Sequence, residues 1–235
     1  MSHDADTDES SDLILSFRSL RQSLGWMGLA LPVVLVIGSI LFDHKIERSI
    51  SHFYYSHMSD VYIGILCAIG VFLIAYRGYG RRDGEWLSDR WVSRIAGVSA
   101  IGVALVPTYA TSELAPPCKI VQCMTGHDLA FRLHQVFSSV FFISLALFCL
   151  VLFTRSSAVY GPVTRAKYRR NQVFRWCGWV LIASMVALIS YQFMPAHWRA
   201  AADDASYQFW LESIGIWAFG ISWLVKGHAV HFLEE

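Results

Sequence analysis

The sequence predicts an all-α membrane protein, a bundle of six transmembrane helices with both termini on the cytoplasmic side. Three observations carry that prediction. The chain contains six long apolar runs. It is 55% hydrophobic with a mean hydropathy of +0.43. Its Lys and Arg residues are spread unevenly over the connecting segments. Charged residues make up 16%, against about 25% in ordinary soluble domains. A hydrocarbon core about 30 Å thick takes about 20 apolar residues per helix. Six spans therefore consume about half the chain and leave no room for a separate soluble domain. The net charge of +1 offers no basic footprint for a nucleic acid, so the expected partners are membrane lipids.

The first twelve residues include Asp4, Asp6, Asp8, Glu9 and Asp12 and few apolar groups. Residues 1–23 read as an acidic, disordered cytoplasmic tail. An acidic start with no small-residue cleavage site is not a signal peptide. The first run covers Leu24 to Phe42, with a kink expected at Pro32. The second covers Val61 to Tyr76 and the third Ile95 to Ala110. The fourth lies between Arg132 and Arg155, and the fifth between Arg175 and His197. The sixth covers Gln208 to Val225 and contains Glu212. The transmembrane domain is thus 24–225, followed by a cytoplasmic tail, 226–235. All six runs should be helices, because an open strand edge is not tolerated in lipid.

Placing the N-terminus in the cytoplasm puts fourteen basic residues inside. They are Arg18 and Arg21, five arginines between Arg77 and Arg94, the six basic residues from Arg155 to Arg175, and Lys226. Five remain outside: Lys45, Arg48, Lys119, Arg132 and Arg199. Short loops rich in Lys and Arg stay in the cytoplasm. Both termini are therefore expected inside.

This topology sends most of the histidines outward. His44, His52 and His57 fall in the first outer loop, His127 and His134 flank the start of the fourth run, and His197 follows the fifth. Asp60, His134 and Glu212 stand at or inside the ends of apolar runs. An unpaired ion is costly there and tends to face the bundle interior. A cluster of these three is expected, extended by His57, His52, Tyr55 and Ser51 from the segment Ser49–Asp60. That segment concentrates hydroxyls, imidazoles and two tyrosines just before a helix. It reads equally as an interfacial loop with a capped helix and as a ligand site. The histidine spacing matches no strong zinc motif. If a metal binds, His134, Asp60 and Glu212 would hold it. Cys118 and Cys123 share an outer loop and are candidates for a disulfide. Ala96, Ala100 and Ala104, with Gly97 and Gly102 beside them, offer a small-residue face for packing inside the bundle.

Ser51 to Gly64, Tyr76-Arg-Gly-Tyr79 and Phe219 to Gly227 resemble a family of uncharacterised six-helix bacterial integral membrane proteins. That resemblance implies the inner membrane and no particular activity. Ser49-Ile-Ser51 beyond the first helix is similar to the outer loop of DRAM/Frag-like membrane proteins, which are associated with lipid and membrane homeostasis. Ser51, Asp60 and His134 are similar to the Ser, Asp and His of alkaline ceramidase-like (CREST) intramembrane hydrolases, a resemblance that implies zinc. The chain departs from that group in its six runs and in His228 and His231, which are three apart instead of four.

The expected function is that of a multi-pass inner membrane protein. An outward-facing polar pocket between runs two, four and six would bind a lipid headgroup or small amphiphile. The alternative is a metal-dependent lipid hydrolase. A second alternative, an oligomeric channel or effector, would need a polar stripe along a whole helix. The central thirds of the six runs are uncharged.

Overall fold

The computed structural model describes residues 2–78, 87–109, 118–155, 164–230 and 233. Tyr79, Arg81, Arg82, Ala110 and His231 of the sequence reading lie outside the described residues. Among the described residues eight α-helices follow one another: α1 (Ser2–Gly38), α2 (Ser59–Ala75), α3 (Asp89–Leu105), α4 (Ile120–Thr125), α5 (His127–Leu147), α6 (Arg165–Tyr191), α7 (Ala196–Asp204) and α8 (Tyr207–Lys226). Wider π-turns extend α1 through Ser39–Asp43 and α5 through Phe148–Leu152, and a 3-10 turn spans Ile50–Tyr55. There is no strand among the described residues.

Each apolar run of the sequence contributes one helix, α1, α2, α3, α5, α6 or α8, but the third helix is shorter than its run: α3 ends at Leu105 and residues 106–109 leave the helix. Three stretches are long and apolar enough to cross a membrane, Leu15–Asp43, His127–Leu152 and Arg165–Tyr191, while α2 is apolar but shorter. One further feature differs from the sequence reading. α1 begins at Ser2 and so includes the acidic stretch expected to be disordered, since a helix already nucleated in the apolar run extends at the gain of one bond per residue. Pro32 lies within α1, the helix in which its kink is expected.

Packing depends on close backbone approach at two helix pairs. α2 meets α3 where a Cβ on Gly97 would lie 2.5 Å from the carbonyl oxygen of Gly70. α1 meets α8 where a Cβ on Gly220 would lie 2.8 Å from the carbonyl oxygen of Gly25. Only glycine leaves room for that contact, and van der Waals packing of this kind is a main source of helix association in lipid. Ala96, Ala100 and Ala104 are all fully buried beside it. At one end of the bundle Trp223, fully buried, stacks edge-on with Tyr76 and Phe153, with ring centroids 5.0 and 5.2 Å apart. The opposite end gathers the C-terminal ends of α1, α3 and α6 and the N-terminal ends of α2, α5 and α8. Ser51, His52, Asp60, His134 and Glu212 lie at that end.

Candidate functional site: a polar cavity at one end of the bundle

The site is built on the turn Ile50–Tyr55, which packs against several helices through main-chain bonds. Phe209 in the first turn of α8 donates its backbone N–H to Arg48 O at 2.8 Å. Ser206 Oγ donates to Ile46 O at 3.2 Å. One turn further along α8, Glu212 Oε2 accepts the backbone N–H of Ile50 at 2.6 Å. Arg48 pairs with Asp203 of α7 at 3.2 Å. On the other flank Tyr55 Oη donates to Thr108 O at 2.8 Å, and Gln122 Nε2 of α4 donates to Tyr55 Oη at 2.7 Å. The turn is thus held between α8 and the segment that follows α3.

The turn and four helices line an open cavity of about 370 Å³. α5 contributes His134, Ser138 and Phe142, the second half of α6 contributes Met185, Leu188 and Ile189, and α8 contributes Gln208 and Glu212. Ser49, Ser51 and His52 line it from the turn, and Arg199 from α7. A smaller cavity of about 40 Å³ shares Ser51, Ser138, Phe142 and Glu212 and is bounded by Tyr62 and Leu66 of α2. The larger cavity therefore lies between α5, α6 and α8. α2 was expected to take part, but its glycine contact draws it against α3.

His134 is 4% exposed and makes two bonds. Nδ1 lies 2.6 Å from Val106 O, and Nε2 lies 2.9 Å from Ser51 Oγ. A carbonyl oxygen can only accept, so Nδ1 carries the hydrogen. In the neutral ring Nε2 then presents its lone pair, and Ser51 donates to it. Next to this pair, His52 Nδ1 and Ser49 Oγ are 2.8 Å apart. His52 is held down to a pKa of about 4, first by burial, then by the positive charge of Arg48 and by His134, against the opposing pull of Asp203. Burial raises the phenols of Tyr54 and Tyr55. Ser138 Oγ is buried without a hydrogen-bond partner.

Of the residues singled out in the sequence, Ser51, His52, His134 and Glu212 line one cavity. Asp60, His57 and Tyr55 do not. Asp60 is exposed in the first turn of α2. His57 is exposed and bonded to Asp43. Tyr55 supports the turn from behind, with its hydroxyl committed to Thr108 O and Gln122. Among the described residues no group of three or more His, Cys, Asp or Glu side chains is placed to hold a metal ion. His134, Asp60 and Glu212 thus do not assemble into a zinc site. Cys118 and Cys123 are joined in a disulfide. Sequence reasoning missed Ser138 and Arg199 as lining groups. The only signal for Ser138 is its position one helical turn after His134.

Three stretches among the described residues are long and apolar enough to cross a membrane, two of them bordering the cavity, and they mark a helical membrane protein. The chain belongs to the family described as "Protein of unknown function (DUF998)", whose model matches residues 27–224. No match was found among curated proteins or among solved structures.

Proposed function

We propose that this protein is a six-span inner membrane protein, with both termini in the cytoplasm, whose outward-facing cavity binds a lipid headgroup or small amphiphile. The single observation that carries the reading is the mixed polar and apolar lining of the cavity. His52, His134, Glu212 and Arg199 offer charge and hydrogen bonds, while Met185, Leu188 and Ile189 offer an apolar wall. A volume of about 370 Å³ falls within the roughly 300–1,000 Å³ of small-molecule sites. It suits a headgroup with the first part of a chain.

Two further observations support the membrane topology. All six helices expose branched aliphatic side chains, among them Val33 and Ile37, Val71, Val98, Val136, Val186 and Ile221. An apolar surface that extensive belongs against another apolar phase. The excess of Lys and Arg favours the loop after α5 and both termini inside, an orientation in which the cavity faces outward.

The binding test uses purified protein and a fluorescent lysophosphatidylglycerol. Saturable binding that competes with unlabelled lysolipid, and is weakened by Glu212→Ala or Arg199→Ala, is the expected result. Non-saturable partitioning that both variants leave unchanged would reject the reading.

A further inference from the structure

We propose that Ser51 and His134 form a nucleophile–base pair for acyl transfer on an ester-bearing amphiphile in this cavity. The proposal rests on the amphiphile reading of the cavity and adds a reaction to it. Ser51 Oγ lies 2.9 Å from His134 Nε2, inside the roughly 2.6–3.2 Å expected of an activated hydroxyl and its base. Val106 O takes the place of the third, orienting group, since it holds the hydrogen on Nδ1 at 2.6 Å. The bond from Ile50 N–H to Glu212 fixes the residue immediately before Ser51.

A histidine bonded to a serine and a carbonyl could serve packing alone. Two observations go beyond packing. Ser51 and His134 both line a cavity large enough for a ligand, where a purely structural pair would sit behind the wall. Ser138 stands one turn along α5 from His134, lines the same cavity, and has a buried Oγ with no partner. Unpartnered buried hydroxyls are uncommon and call for a reason. A hydroxyl that swings about χ1 into the cavity as the oxyanion of a tetrahedral intermediate forms supplies one.

The chemistry balances without metal or redox partner. Ser51 Oγ bonds to the ester carbonyl carbon as its proton passes to His134 Nε2. Negative charge gathers on the carbonyl oxygen, where Ser138 Oγ–H donates. The tetrahedral intermediate collapses, the carbon–oxygen bond to the alcohol breaks, and His134 returns the proton to that leaving oxygen. An acyl-serine remains. Water or a second alcohol then attacks it with His134 as base. The Ser51 ester bond breaks, and Ser51 regains its proton.

The test treats full-length protein, in detergent and in membrane vesicles, with an alkyl fluorophosphonate, which phosphonylates an activated serine with loss of fluoride. The expected result is one adduct per chain, mapped by peptide mass spectrometry to Ser51 in the wild-type protein. Ser51→Ala should abolish it. His134→Gln should slow it by roughly 10²–10⁴-fold. Ser138→Ala should slow hydrolysis of p-nitrophenyl octanoate by roughly 10²-fold. Mapping on the unaltered protein keeps the test valid if a variant misfolds. An absent adduct, an adduct on another residue, or a rate unchanged in folded His134→Gln overturns acyl transfer. Lysolipid binding measured on the same sample separates the two readings. Binding without a Ser51 adduct overturns the reaction alone, and no binding overturns the amphiphile cavity.

Discussion

Glu212 and Ile50 are joined by a single hydrogen bond, from the backbone N–H of Ile50 to Oε2 at 2.6 Å. It connects the first part of α8 to the turn that carries Ser51. Removing a partner from a buried donor costs about 1–3 kcal/mol. Glu212→Ala should therefore lower the melting temperature in detergent. Glu212→Gln retains a carbonyl acceptor and should lose much less. Equal loss in both variants would mean that the charge, not the bond, supports the turn.

His52 gives the native state a defined acid sensitivity. Its pKa lies near 4 when folded and near 6.5 when unfolded. As pH falls below about 6.5 the unfolded chain takes up a proton that the folded chain refuses. Stability is therefore full above that pH and declines until about pH 4, where both states are protonated. Melting curves recorded from pH 7.5 to 4 should show this decline, and His52→Gln should flatten it. A slope identical in the two proteins would assign the effect elsewhere.

Gly97 and Gly64 should respond in opposite ways to the same substitution. A Cβ at 97 would press on Gly70 O at 2.5 Å and Ile74 Cγ1 at 2.7 Å. Gly97→Ala should cost about 1–3 kcal/mol as α2 and α3 are forced apart. Gly64, in the same bundle, has nothing within 4 Å of its Cβ position. Gly64→Ala should be neutral or raise stability by about 0.5–1 kcal/mol through helix propensity. Thermal melts of the two single variants decide the point.

Topology and the disulfide can be read in one set of cells. A reporter active only in the cytoplasm should work at the C-terminus and within residues 156–170, and fail near Cys118. Cys118 and Cys123 should resist a membrane-impermeant alkylating reagent until reduced. The reverse reporter pattern would invert every side assignment.

Much of the helix layout was legible because apolar runs of about 20 residues leave few alternatives. Part of the site was legible for a related reason. Ser51, His52, His134 and Glu212 are polar groups beside apolar stretches, and such groups need partners. The same reasoning favoured Asp60, which the first turn of α2 turns outward. Position near a span end does not tell which face a side chain occupies. His57 found its partner in Asp43 on the surface, away from the cavity. Val106 and Thr108 could not be read at all, because their carbonyl oxygens do the bonding and every residue has one. Ser138 was hidden for a different reason. A serine in an apolar helix ordinarily bonds its own backbone, as Ser144 does to Val140 O.

The turn between α1 and α2 is held by the main-chain groups of Ile46, Arg48, Ile50 and Thr108. Evolution can therefore alter the side chains at those positions while the scaffold persists. Proline is the exception at 50 and 209, where it would delete the donor itself. Relatives that keep the architecture need share few identities along the supporting positions. Ser51, His134 and Glu212, whose side chains make the bonds, are where the cost of substitution falls.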